Sequence, residues 1–160
     1  MSSQLSVTSR AFSDNGTMPL KYTGYGVDQS PPFTLKGLTP EAEALAIILV
    51  DMDVPHIKPF PHWLIWNLPV KSEIPGNLPP GEILGGYGDA KQGAAYGNHC
   101  YRGPKPPKFA HDRHHYVFTI YALDQKLALS ASADRDALLA AMKGHILQEA
   151  SITGIYQNKD

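Results

Sequence analysis

Three apolar runs interrupt a chain otherwise broken by glycine and proline: Ala42 to Val50, His62 to Leu68 and Tyr116 to Leu123. Each has the length and the branched or aromatic content of a strand buried in a core. The first predicts a central strand that leaves the core at Asp51-Met-Asp53-Val-Pro55, where proline ends the pairing. In the second, alternation puts His62, Leu64 and Trp66 on one face and Trp63 and Ile65 on the other. In the third, Tyr116, Phe118, Ile120 and Ala122 share a face, and His114 belongs to the same side.

The flanking pattern is weaker. Leu5 to Phe12 alternates enough to predict an edge strand, followed by turn chemistry at Asp14-Asn-Gly16. Leu20 to Phe33, punctuated by Gly24, Gly26 and Ser30-Pro31-Pro32, reads as extended or turning chain. Pro69 to Ala110 is dense in glycine and proline and predicts an ordered wall of loops. One helix is expected, from Ala133 to Ala150: Ser132 caps it, Asp134 and Asp136 suit its positive end, and Leu138, Met142, Ile146 and Ala150 recur every four residues. Gly144 inside that span would mark a close packing contact. Ser151 to Gln157 reads as a final strand. Several strands, long loops and one late helix predict a mainly β fold over residues 1–160, a single antiparallel, Greek-key-like sandwich with a peripheral helix near its C-terminal end.

At 160 residues the chain buries about 68–70% of its unfolded surface and folds without staples. Cys100 is its one cysteine, which excludes an internal disulfide and suits a reducing, cytoplasmic setting. No signal-like or membrane-spanning apolar segment is present in the sequence. A formal net charge of -1 supplies no global attraction for nucleic acid or an anionic membrane, so any anion must be captured locally.

Candidate chemistry sits at the strand mouths. Asp51 and Asp53 fall on one face of an extended segment, where they suit a cation, or a turn cap beside a carboxylate that orients a histidine, or simply a solvated strand end. His62 and His114 each open an apolar strand, and imidazoles there can donate to an anionic oxygen. Tyr101-Arg-Gly103-Pro-Lys-Pro-Pro107 has the rigidity of an anion-binding rim, with Arg102 and Lys105 as further donors. His111-Asp-Arg-His114-His115 lacks the ligand spacing of a zinc site, and neither a nucleophile elbow nor a phosphate loop is present. No metal and no cofactor are expected.

Taken together, these segments resemble the phosphatidylethanolamine-binding protein family, in its bacterial Raf kinase inhibitor-like branch. Ser30-Pro31-Pro32, Asp51-Met-Asp-Val-Pro55, His62-Trp63, Tyr101-Arg-Gly-Pro-Lys-Pro-Pro107, His114-His-Tyr116-Val-Phe118, Gly144-His145, Ala150-Ser-Ile152 and Gly154-Ile-Tyr-Gln157 follow its motifs in order, from about Phe12 to Gln157. The resemblance implies a β-sandwich whose pocket accepts phosphate-like anions and phospholipid head groups, formed by Asp51, His62, Gly103, His114 and Tyr116 and bordered by Asp53, Pro55, Lys105 and Pro106. Four positions depart from the motifs: Met52 stands for proline, Val54 for alanine, Lys105 for cysteine and His115 for arginine. Met52 would loosen the two carboxylates, and Lys105 would add charge at the rim.

The expected function is therefore small-anion binding, with Asp51 orienting His62 while His114, the backbone near Gly103 to Lys105 and the Tyr116 hydroxyl contact the ligand. A regulatory role follows as an expectation, with a kinase or protease as the inhibited partner. The alternative is a hydrolase using Asp51 with either histidine on a small phospho- or acyl-substrate. A homodimer is a further possibility, with Tyr22, Tyr25 and Tyr87 as surface aromatics.

Overall fold

In the computed structural model, residues 4–56 and 59–159 are described. They form β1 (Ser6–Thr8), β2 (Gly16–Thr17), β3 (Phe33–Lys36), β4 (Ala44–Asp51), β5 (Phe60–Leu68), β6 (Glu73–Ile74), β7 (Ile83–Leu84), β8 (Ala90–Gln92), β9 (His114–Leu123), α1 (Arg135–Met142) and β10 (Ile146–Tyr156). One sheet has the order β1-β3-β6 and the other β2-β10-β9-β4-β5-β8-β7. Every pairing is antiparallel except that of β10 with β2.

The apolar runs take the middle of the large sheet because they alone can be covered on both sides. Leu45, Ile47 and Leu49 of β4 face the small sheet, packing with Phe33, Leu35, Trp63, Phe118 and Ile120. Ala46 and Ile48 face the other way, with Leu64 and Trp66, against Leu138 and Met142 of α1. Each such large side chain contributes about 1.5–3 kcal/mol when fully buried.

The helix is much shorter than the four-residue repeat suggests. Asp134, not Ser132, caps it, its Oδ1 accepting the Ala137 N–H at 2.9 Å. Gly144 has φ of 84°, a conformation that stops a helix, and a side chain there would meet nothing within 4 Å, so it marks a chain reversal and not a packing contact. Ile146 and Ala150, expected on the helix, belong to β10, which pairs with β9 at ten positions. Tertiary pairing overrides helical periodicity here.

The Pro69 to Ala110 stretch is an ordered wall holding β6, β7 and β8. Buried Gln92 pins it: its Oε1 accepts the Trp63 indole N–H at 2.7 Å, and its Nε2 donates to the carbonyls of Pro79, Gly81 and His99. Tyr22, expected at the surface, is buried with the core between the sheets, whereas Tyr25 and Tyr87 are half-buried.

Candidate functional site

At one end of the large sheet the mouths of β4, β5 and β9 lie side by side. Asp51 is registered opposite both Phe60 of β5 and Tyr116 of β9. Strand alternation carries Asp51 and Tyr116 to the face that meets the small sheet. His62 reaches that face differently. Val50 pairs with Pro61 and Leu49 with Trp63, so His62 is the extra residue of a β-bulge. The bulge turns its ring from the expected Leu64/Trp66 side toward Tyr116, with centroids 5.4 Å apart. His114 lies over the same phenol, stacked at 6.1 Å. Asp51, His62, His114 and Tyr116 are thus brought together, all four buried.

Asp51 orients His114, not His62. Its Oδ2 accepts from His114 Nδ1 at 2.7 Å, its Oδ1 accepts the Asp53 N–H at 2.8 Å, and the Tyr116 hydroxyl is a third partner. His62 instead directs Nδ1 to the Arg102 carbonyl at 2.7 Å. A carbonyl only accepts, so His62 carries its proton on Nδ1. Burial pushes the His62 imidazole below its usual range, although the Arg102 carbonyl and the Asp51 charge oppose this. Burial, and then the Asp51 charge, push the Tyr116 phenol far up, so it stays a protonated donor.

The remaining expected residues divide. Asp53 lies just outside the cluster, its Oδ2 accepting the His115 backbone N–H at 2.6 Å and facing His115 Nδ1 at 3.0 Å. Met52 does not loosen the two carboxylates: unlike proline it has an N–H, which donates to the His115 carbonyl at 3.0 Å. The Gly103 N–H is taken by structure, donating to Asp28 Oδ1 at 2.8 Å, and a side chain there would strike the Tyr22 carbonyl, while the Gly103 backbone also bonds the His62 ring. Lys105 runs along Gly24 and sets its ammonium over the Tyr25 ring at 5.8 Å, not among the histidines. Pro106 holds the loop in place, its carbonyl accepting from Tyr25 and Asn158. Pro55 is exposed in a turn.

Three residues at the site carry no signal in the sequence, Asp28, Phe60 and Tyr96, and they gather around Arg102, which the rim motif does offer as a donor. The Arg102 guanidinium lies 4.7 Å from the Tyr96 ring and its Nε 3.9 Å from Asp28, while Tyr96 and Phe60 flank His62 at 5.0 and 5.6 Å.

Two cavities lie elsewhere, of about 320 Å³ beside Tyr25, Lys108 and Tyr156 and about 260 Å³ beside Leu68, Lys71 and Tyr87. Neither gathers buried titratable groups as the strand mouths do, and we place the candidate site by chemistry rather than by volume. Among the described residues no three His, Cys, Asp or Glu converge to hold a metal ion.

The fold is thus a two-sheet β structure with one short helix, whose strand mouths gather two histidines, an aspartate and a tyrosine. The chain belongs to the phosphatidylethanolamine-binding protein family, whose model matches residues 8–157. It is 39% identical over 158 residues to a UPF0098 protein of Pyrococcus horikoshii, covering 94% of this chain and 76% of that one. A UPF0098 protein of Methanothermobacter thermautotrophicus is 38% identical, with 96% and 99% covered. The crystal structure of a Chlamydia trachomatis protein described as a homologue of phosphatidylethanolamine-binding protein superposes with a TM-score of 0.84 at 34% identity, covering 99% and 100%. Escherichia coli YbcL superposes at 0.86 with 22% identity, covering 98% and 99%, a likeness of fold alone.

Proposed function

We propose that this protein is a cytoplasmic, non-catalytic regulator that binds a small oxyanion, phosphate-like or a phospholipid head group, and through it inhibits a kinase or protease partner. One observation carries the binding reading: two buried imidazoles converge on one phenol with their Nδ1 atoms engaged, by Asp51 and by the Arg102 carbonyl. Nε2 is then the nitrogen each ring offers to a ligand. In a neutral ring that nitrogen only accepts, so capture of an oxyanion requires a proton on it or on the ligand.

The test is calorimetric titration of phosphate, acetate and phosphoethanolamine into wild type and His62→Ala. A charge-assisted bond contributes about 1.5–3 kcal/mol, so the substitution should weaken phosphate by about tenfold to hundredfold. Unchanged binding would end the assignment. Sulfate, which does not titrate between pH 5.5 and 7.5, should bind more tightly toward the acid end with proton uptake; a flat profile would mean that groups other than the imidazoles hold the anion.

The Asp51–His114 pair also has the geometry of an oriented general base, which keeps a hydrolase as the second reading. It predicts turnover of a small phospho- or acyl-ester that vanishes in Asp51→Asn, and no such turnover under the binding reading.

A further inference from the structure

Tyr96 stands in a turn that suits it poorly. Tyr96 and Gly97 have consecutive positive φ of 55° and 73°, between Ala95 and Asn98. Ala95 and Asn98 exchange backbone hydrogen bonds at 3.3 and 2.9 Å, as in a two-residue type I′ hairpin. Asn, Asp or Gly suits the first central position of that turn, and a bulky aromatic there is an outlier. The turn is nonetheless closed firmly, with Asn98 Nδ2 also donating to the Tyr96 carbonyl at 3.1 Å.

The strained backbone serves the placement of the ring. From this turn Tyr96 meets the His62 ring at 5.0 Å and the Phe60 ring at 5.2 Å, nearly perpendicular to the latter, and receives the Arg102 guanidinium at 4.7 Å. The same Arg102 holds His62 through its carbonyl. Tyr96 as a residue is still 43% exposed, a large hydrophobic left open to solvent beside the imidazole that would contact the anion. A core role would have buried it, and a turn role would have been met by asparagine.

We infer that Tyr96 sets the pocket's preference for what the anion is attached to, selecting an oxyanion carried on a flat, unsaturated group over the same oxyanion alone or on a small polar group. This rests on the binding reading above. An anion seated at His62 would bring its substituent against Tyr96 and Phe60, where offset or edge contact with a planar group gains about threefold to tenfold in affinity.

The experiment titrates inorganic phosphate, glycerol phosphate and phenyl phosphate into wild type, Tyr96→Phe and Tyr96→Asn at pH 6, with thermal melts of all three proteins. Wild type and Tyr96→Phe should prefer phenyl phosphate by about threefold to tenfold. In Tyr96→Asn the affinity ratio should fall to near one, while Tm stays at or above that of wild type because asparagine fits the turn. A ratio that survives in Tyr96→Asn overturns the inference, and so does a Tm well below wild type, which would make the ring a structural prop. If His62→Ala leaves phosphate binding unchanged, the binding reading and this inference fall together. If binding depends on His62 but the ratio ignores residue 96, only the inference falls.

Discussion

Two aspartate–histidine pairs occupy neighbouring positions at and just past the end of β4 and at the start of β9, and their surroundings separate them. Asp51 and His114 meet at 2.7 Å with side chains 3% and 9% exposed, whereas Asp53 and His115 meet at 3.0 Å with 32% and 42% exposed. The first carboxylate sits at the last residue of a strand buried on both faces, with donors from Asp53, His114 and Tyr116. The second lies beyond the strand end, partly open to water, tied mainly to a backbone N–H. The same two residue types therefore yield a pocket element in one case and a loop fastener in the other, and depth decides which.

The largest effect should come from cutting each pair at its carboxylate. Asp51→Ala strands a buried imidazole and phenol, and breaking a buried pair in this way costs about 3–5 kcal/mol. Asp53→Ala should cost about 1 kcal/mol or less, since water replaces what is lost. Urea unfolding of both variants measures the gap; equal losses would remove the distinction by depth.

Acid should dismantle the two regions in order. His62, beside the inner pair, is held below its usual pKa of about 6.5 by burial, so below that pH the unfolded chain binds a proton the folded chain refuses. Stability then rises with pH through that window and is lost on acidification from about 6.5. At Asp53 partial burial raises the carboxyl, but the His115 N–H, ring and charge outweigh it, and the net shift is down. Its contribution is present above about 3.8 and is lost only as pH falls through the depressed value. Unfolding free energies from pH 7.5 to 3 should show a first decline that His62→Phe flattens and a later one that Asp53→Asn flattens. A first decline unaltered in His62→Phe would contradict the assignment.

The sequence made the strand mouths legible, because an acid or histidine closing an apolar run has little choice but to stand at the core's edge. The partnership was not legible. The residues alone pair Asp51 with His62, and only the β4–β9 register, together with the bulge that turns His62 toward Arg102, shows His114 to be its partner. Neither a register nor a one-residue bulge leaves a mark in hydrophobic alternation. The helix expected over 133–150 failed for a related reason, since a four-residue apolar repeat cannot register that Gly144 reverses the chain into a partner strand. Tyr96 lay in a glycine-rich stretch without periodicity, where a lone aromatic beside glycine gives no hint of the ring it meets.

The smallest effect belongs to His115→Ala. Its ring reaches Asp53 at 3.0 Å with both side chains partly open to solvent, and pairs near the surface contribute about 0–1 kcal/mol. The substitution leaves intact the backbone N–H that donates to the same oxygen at 2.6 Å, so Asp53 keeps its shorter partner and the loop keeps its course. Met52 still donates to the residue 115 carbonyl, because that bond uses no side chain. Stability should therefore change by less than about 1 kcal/mol, and by less still in molar salt, where screening has already removed most of the charge interaction. Phosphate affinity should stay within about twofold, a difference of roughly 0.4 kcal/mol. A large loss of affinity in His115→Ala would show that the outer pair reaches the ligand, and the division between pocket and fastener would have to be redrawn one residue further out.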